Sequence, residues 1–252
     1  MAIIWLRFRR FMHRNKAAIL LTVVFIAIFG FVVIWGIKEM PGVVNKIQEP
    51  KIDPAIISED IFQAIIEGDY QNAMYYLRDE LNEDPDNEEL SNLWTQLTDE
   101  FQIDVKFDYF IDQRKYKTTK ELTPDIILTS RDPYYMTVNP SHTCYLYVFQ
   151  VDSKGNINII HPNREYSPSD NPILPGPLKV PHGSKWFFLD ETKGMETIYL
   201  VATRFENRRL ANLTTKPALS EAVGQELILY LKTLGTMNVP AVVFKKYQFI
   251  HE

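Results

Sequence analysis

The sequence predicts an α+β protein held by one N-terminal transmembrane helix. Three observations carry that prediction. Residues 17–37 contain no charged side chain, residues 58–98 repeat their apolar positions at helical spacing, and from Ile103 the period drops to two. In order, the chain divides into a cytoplasmic tail (1–16), a transmembrane helix (17–37), a linker (38–55), an acidic helical segment (56–99) and a β-rich domain (101–252).

The apolar run comes first. As a helix its roughly 21 residues extend about 31 Å, close to the thickness of a bilayer's hydrocarbon core. Ala17, Leu20, Phe25, Phe29, Phe31, Trp35 and Ile37 are its anchoring residues, with Trp35 where an interfacial aromatic belongs. Arg7, Arg9, Arg10, Arg14 and Lys16 precede it with no acidic residue among them, whereas Lys38, Lys46 and Lys51 after it are matched by Glu39, Glu49 and Asp53. The positive-inside rule then puts the N-terminus in the cytoplasm and the bulk of the chain outside it. A cleaved signal peptide fits less well, because its apolar region is usually ~7–15 residues and ends at a small-x-small site. No such site follows Trp35 and Gly36.

The formal net charge of −5 conceals a strong asymmetry. Residues 58–100 hold thirteen acids against one base, Arg78, while 101–252 are nearly balanced. Outside the basic tail no segment has the positive charge that nucleic-acid binding needs. The single cysteine, Cys144, excludes an intrachain disulfide and sits in an apolar strand pattern, which reads as a buried thiol.

Pro41, Gly42, Pro50 and Pro54 mark the linker. Ser58 then caps a helix carrying Ile61, Phe62, Ile65 and Ile66, and Gly68 breaks it. A second helix carries Ala73, Met74, Leu77 and Leu81 on one face and stops before Asp84 and Pro85. A third runs over residues 88–98 with Leu90, Leu93, Trp94 and Leu97. Gly68, Tyr70, Ala73, Leu77 and Pro85 stand in the register of a tetratricopeptide repeat, and this stretch resembles one, although Glu80 and Ile61 replace residues that are usually small. The resemblance implies a helical hairpin with an unsatisfied apolar face. Such repeats stack in arrays of about three, so the face must find the next domain, another copy or a partner.

Ile103, Val105, Phe107 and Tyr109 alternate with polar residues as a half-buried strand. Residues 113–125 read as a loop. Further strands are predicted over 126–128, 134–138, 143–151, 157–160, 178–181, 185–189 and 197–203, with a tight turn over 152–156 in which Gly155 takes positive φ. The runs 145–149, 152–155, 161–163, 175–176, 187–189 and 199–202 together resemble a bacterial family of unassigned function. That family is appended to caspase-like peptidases, Ser/Thr kinases and other envelope proteins. The resemblance implies a β-sandwich-like accessory module with no catalytic residues to carry over. Pro217 and Gly235 bracket a helix over 218–234, and residues 239–250 read as a last strand.

Little else carries chemistry. His142 and Cys144 lack further ligands for a metal, and Ser141 and His142 lack a nucleophile elbow. The turn after Val151 lacks the alternating oxygens of a calcium loop. No metal and no cofactor is expected. The candidates for partner binding are Asp79, Glu80, Glu83 and Asp84 on the acidic helices and the aromatic face Tyr145, Tyr147 and Phe149, for which a central strand is the first explanation and a binding strip the alternative. The sequence therefore implies a non-catalytic binding or scaffolding protein of a bacterial inner membrane. Its expected partners are envelope proteins or copies of itself. Glycan binding is the alternative, and an envelope hydrolase a weaker one.

Overall fold

The computed structural model describes residues 57–110, 117–120, 122–123, 125–167, 170–215 and 219–252. The segment read as transmembrane, its flanking charges and the stretch read as a linker lie outside the described residues. Among the described residues no helix is long and apolar enough to cross a membrane. Residues 49–252 make one compact unit.

Three helices open it: α1 (Glu59–Glu67), α2 (Tyr70–Glu83) and α3 (Glu88–Thr98). Ser58 occupies the N-cap of α1 without a side-chain bond, and Gly68 ends that helix at φ 80°. Asp69 and Asn87 cap α2 and α3 by accepting from the Asn72 and Leu90 N–H groups. Each cap satisfies a donor that a helix start otherwise leaves open. The stripe of Ile61, Ile65, Tyr70, Ala73, Leu77, Leu90 and Leu97 forms one buried cluster with Phe205, Val239 and Ala241. The helices' apolar face is thus completed by the chain's own β-rich part.

Nine strands follow in two sheets. The first has the order β2-β1-β4-β7, from β1 (Ile103–Phe110), β2 (Lys117–Lys120), β4 (Tyr134–Pro140) and β7 (Leu178–Val180). The second has the order β3-β9-β8-β5-β6, from β3 (Ile127–Leu128), β5 (Tyr145–Val151), β6 (Ile157–His161), β8 (Gly194–Thr203) and β9 (Val242–His251). All pairings are antiparallel except β3 with β9. The sheets face each other across Phe107, Tyr109, Met136 and Val138 on one side and Leu146, Val148, Leu200 and Phe249 on the other. The Phe107 and Tyr247 rings meet edge to face at 4.8 Å. Full burial of one such aromatic or branched side chain contributes ~1.5–3 kcal/mol.

The second sheet is covered on its other face as well. There Tyr147, Phe149, Tyr199 and Val201 pack under α4 (Arg208–Thr214) and α5 (Glu221–Leu234) through Leu210, Leu227, Tyr230 and Leu231. The protein is a mixed α+β structure with five helices and two sheets among the described residues.

Several expectations are corrected. Strand β2 lies inside the stretch read as a loop, where its polar residues pair with β1 and give no apolar signal. Residues 185–189 form no strand, since only Phe187 bridges to Tyr134. Helix α4 is additional to the expected elements, and α5 begins at Glu221 rather than at 218. The last strand joins the β module as expected and lies inside its second sheet: β9 runs in a ten-residue ladder along β8 and has β3 on its other side.

Where hairpin, sheet and terminal helix meet, Asn207 is fully buried. Its Oδ1 accepts from the Leu210 N–H at 3.0 Å, its Nδ2 donates to the Tyr230 hydroxyl at 2.7 Å, and its carbonyl accepts from the Tyr147 hydroxyl at 3.4 Å. Gly68 lies against this group. A Cβ there would collide with Asn207 Nδ2 and stand 2.5 Å from the Tyr230 hydroxyl oxygen. Gly68→Ala adds left-handed backbone strain to that collision and should cost more than about 2 kcal/mol. Asn207→Ala removes a cap and orphans buried partners, for a loss of about 2–4 kcal/mol. Urea unfolding of both variants measures this, and midpoints equal to wild type would refute the joint.

Candidate functional site

The acidic helices expose their charge. Asp79, Glu83, Asp84, Asp86, Glu88 and Glu89 are exposed and Glu80 is half-buried. Two aromatic rings stand among them, Tyr75 at 53% and Tyr76 at 38% exposure, in edge contact at 5.8 Å. Arg78 sits 3.5 Å from Asp79 and its guanidinium lies 5.2 Å from the centre of the Tyr75 ring. In that contact a carboxylate supplies the opposite charge and a tyrosine face supplies a cation–π partner. The acids were legible as a cluster, whereas the two tyrosines were not singled out.

The aromatic strand residues sit elsewhere. Tyr147 and Phe149 are buried beneath α4 and α5, with Tyr145 partly buried beside them. Burial pushes the Tyr147 phenol well above its ordinary pKa. Tyr147 and Phe149 belong to the core and offer no open surface to a partner or glycan, which corrects that part of the expectation. A different aromatic group faces outward on the first sheet. Trp186 meets Tyr135 at 4.6 Å and Phe110 at 4.9 Å, while the Lys179 ammonium lies 4.2 Å from the Tyr135 ring centre. Phe188 nearby is 64% exposed.

A second polar cluster is internal. Tyr134 donates to Gln150 at 2.8 Å and Gln150 donates to Glu196 at 2.9 Å. The other Glu196 oxygen is 4.0 Å from His251 Nδ1. Nδ1 also faces the Thr192 carbonyl at 2.8 Å, and Nε2 faces the Ser130 hydroxyl at 2.9 Å. A carbonyl only accepts, so Nδ1 carries the proton. Ser130 Oγ is also 2.9 Å from the Asp190 carbonyl, and its single proton serves either that oxygen or Nε2. The serine–histidine–glutamate order resembles a hydrolytic relay, but both the imidazole and the carboxylate are closed off from solvent. What the cluster accomplishes is to clasp the end of β9 to the turns at Ser130 and Thr192. Burial raises the Glu196 carboxyl to about 7, with Asp152 and Asp190 adding to the shift and the Gln150 bond opposing it.

The remaining sequence candidates resolve simply. His142 lies in an exposed bend beside Ser141, 2.9 Å from its hydroxyl, while Cys144 is in the core. Burial pushes the Cys144 thiol up to about 12. Asp152 is saturated by its own turn, accepting from the N–H groups of Lys154 and Asn156 and from the Asn156 amide. Among the described residues no cluster of three or more His, Cys, Asp or Glu side chains is placed to hold a metal. Buried His161 is held down to about 4 by desolvation.

Residues 129–206 match a family described as a domain of unknown function, DUF4384. The stretch runs from just after β3 through the end of β8, consistent with a β-rich accessory domain. No curated protein and no solved structure matches the chain.

Two outcomes test the buried groups. A carboxyl whose folded pKa is raised favours the native state below its unfolded value near 4.5, and that advantage is lost as pH rises through about 7. Glu196→Gln should therefore match wild type at about pH 4 and exceed its stability by about 1–3 kcal/mol at about pH 8. Thermal melts across that range decide it; a variant less stable at the alkaline end would mean that the ionised Glu196 is stabilised by His251. Cys144 should resist thiol reagents at about pH 8 until the protein is unfolded.

Proposed function

We propose that this protein is a non-catalytic, single-pass component of a bacterial inner membrane that holds a binding or scaffolding module outside the cytoplasm. Residues 17–37 are the anchor, and the charges at Arg7, Arg9, Arg10, Arg14 and Lys16 keep the tail inside. The module consists of a tetratricopeptide-like hairpin and a β-sandwich-like accessory domain, built as one body. One observation supports the binding role above all. The hairpin spends its apolar face on Phe205, Val239 and Ala241, and its outer face keeps the carboxylates together with Tyr75 and Tyr76 exposed. A partner protein with a lysine- or arginine-rich surface fits that face, and long-range attraction would speed the encounter.

A glycan-binding role is the second reading. It now rests on Trp186, Phe110 and Phe188 of the outer sheet face in place of the buried aromatic strand.

Pull-down from solubilised membranes with the full chain separates the two. Defined protein partners, lost on Asp79→Lys with Glu83→Lys and weakened by raising salt, support the acidic face. Retention on cell-wall sacculi that is lost on Trp186→Ala supports the glycan reading. Partner capture unchanged by the charge reversal defeats the acidic-face assignment. A periplasm-dependent reporter fused after Glu252 should be active, and activity confined to a cytosolic reporter would defeat the topology.

A further inference from the structure

Among the described residues strand β6 is the outer strand of the second sheet and pairs with β5 alone. The turn that joins them fixes which of its backbone groups face outward. Asp152 N–H bonds to the Asn156 carbonyl at 3.0 Å, which closes the hairpin. In an antiparallel ladder bonded and non-bonded pairs alternate, so the Gln150–Asn158 pair is bonded while Ile157 and Ile159 turn their N–H and C=O groups away from β5. One contact confirms the direction: the Ile159 carbonyl accepts from the Asn163 side-chain amide at 2.8 Å, on the side away from β5. The Ile157 N–H and C=O and the Ile159 N–H share that edge.

The edge does not open onto flat surface. It forms one wall of a cavity of about 660 Å³, within the ~300–1,000 Å³ usual for binding clefts. Pro162 and Tyr166 border it on one side, Thr214, Thr215 and Leu219 on the other. Among the lining side chains Arg164 pairs with Asp170 at 3.2 Å, and Glu165 leaves one net negative charge.

We propose that the walled edge of β6 binds an extended polypeptide segment of a partner protein, which adds a strand to the five-stranded sheet. The outward groups lie two residues apart and alternate donor with acceptor, a pattern that another strand matches and a sugar or small anion does not. This site is separate from the acidic face, and its failure would leave that reading intact.

Hydrogen exchange and binding of a labelled probe peptide test it, using the full chain in detergent. The probe is a blocked hexapeptide alternating threonine and valine with a terminal lysine. Binding should saturate below about 1 mM and slow exchange at Ile157 and Ile159 by about tenfold. Thr215→Arg, at an exposed position filling the cavity, should weaken binding by about tenfold or more without changing the melting temperature, and so should N-methylation of alternate probe residues. The proposal falls if no saturable binding occurs to that limit, or if binding ignores both changes. Two further results also overturn it. One is a dimer in the free protein that Thr215→Arg dissociates, which assigns the edge to a second copy. The other is slow exchange at Ile157 and Ile159 without any probe, which assigns it to another segment of this chain.

Discussion

A buried amide with every polar atom committed is the constraint on which the rest of the molecule depends. Asn207 starts α4, holds the Tyr230 hydroxyl of α5 and takes the Tyr147 hydroxyl of β5. Tyr230 reaches on to the Glu67 carbonyl at the end of α1, and Tyr70 at the start of α2 reaches the Phe205 carbonyl. An unpaired group in such a place costs several kcal/mol, so all of these elements must assume their positions together. Gly68 permits it, since only a residue without a side chain lets the α1–α2 turn approach Asn207 this closely. The hairpin is therefore fastened to the β-rich part by chemistry as well as by apolar contact. A lone helical repeat, which could not bury its own face, here finds its missing neighbour in the same chain.

That fastening explains what is left for function. Three apolar faces in the described body have a covering: the sheets cover each other, α4 and α5 cover the far side of the second sheet, and the β-rich part covers the hairpin, while the outer face of the first sheet leaves Phe188 exposed. Surfaces free to bind are therefore polar or mixed. Carboxylates with tyrosines occupy one, aromatic rings with Lys179 another, and backbone amides a third. None of the three brings a nucleophile together with an activated base.

Much of this was legible because period and burial coincide. Helix α3 falls on the predicted residues, and the alternation from Ile103 to Tyr109 is β1. Strand β5, apolar on both faces, is indeed central, with β8 on one side and β6 on the other. The misses have physical reasons. Helix α4 is seven residues long and opens with Arg208 and Arg209, so only its Asn207 cap could have announced it. Residues 185–189 alternate correctly, Phe187 and Leu189 inward and Trp186 outward, but a single bridge is all the pairing they make. The acidic surface was readable from composition alone. The β6 cavity was not, because its lining comes from two regions of chain, within 157–170 and within 214–219, that only tertiary structure brings together.

The family match raises a further point about completeness. Residues 129–206 contain β4 and β7 of one sheet and β5, β6 and β8 of the other. By itself this stretch would leave the long edges of β4 and β8 open, a liability for aggregation. The flanking sequence supplies β1 along β4 and β9 along β8, so the folded unit is larger than the matched domain. The edges that remain are protected in different ways. Strand β3 has two residues, β7 has three and carries Lys179, and β2 is four polar residues with lysine at each end. Shortness and charge both discourage pairing. Strand β6 has five residues, apolar except for Asn158 and His161, and is shielded neither by shortness nor by its own charge. It is bordered instead by a cavity that Pro162, Tyr166, Thr214, Thr215 and Leu219 help to line. An edge bordered in that way is not closed, and it is there that the fold leaves its backbone open to recognition.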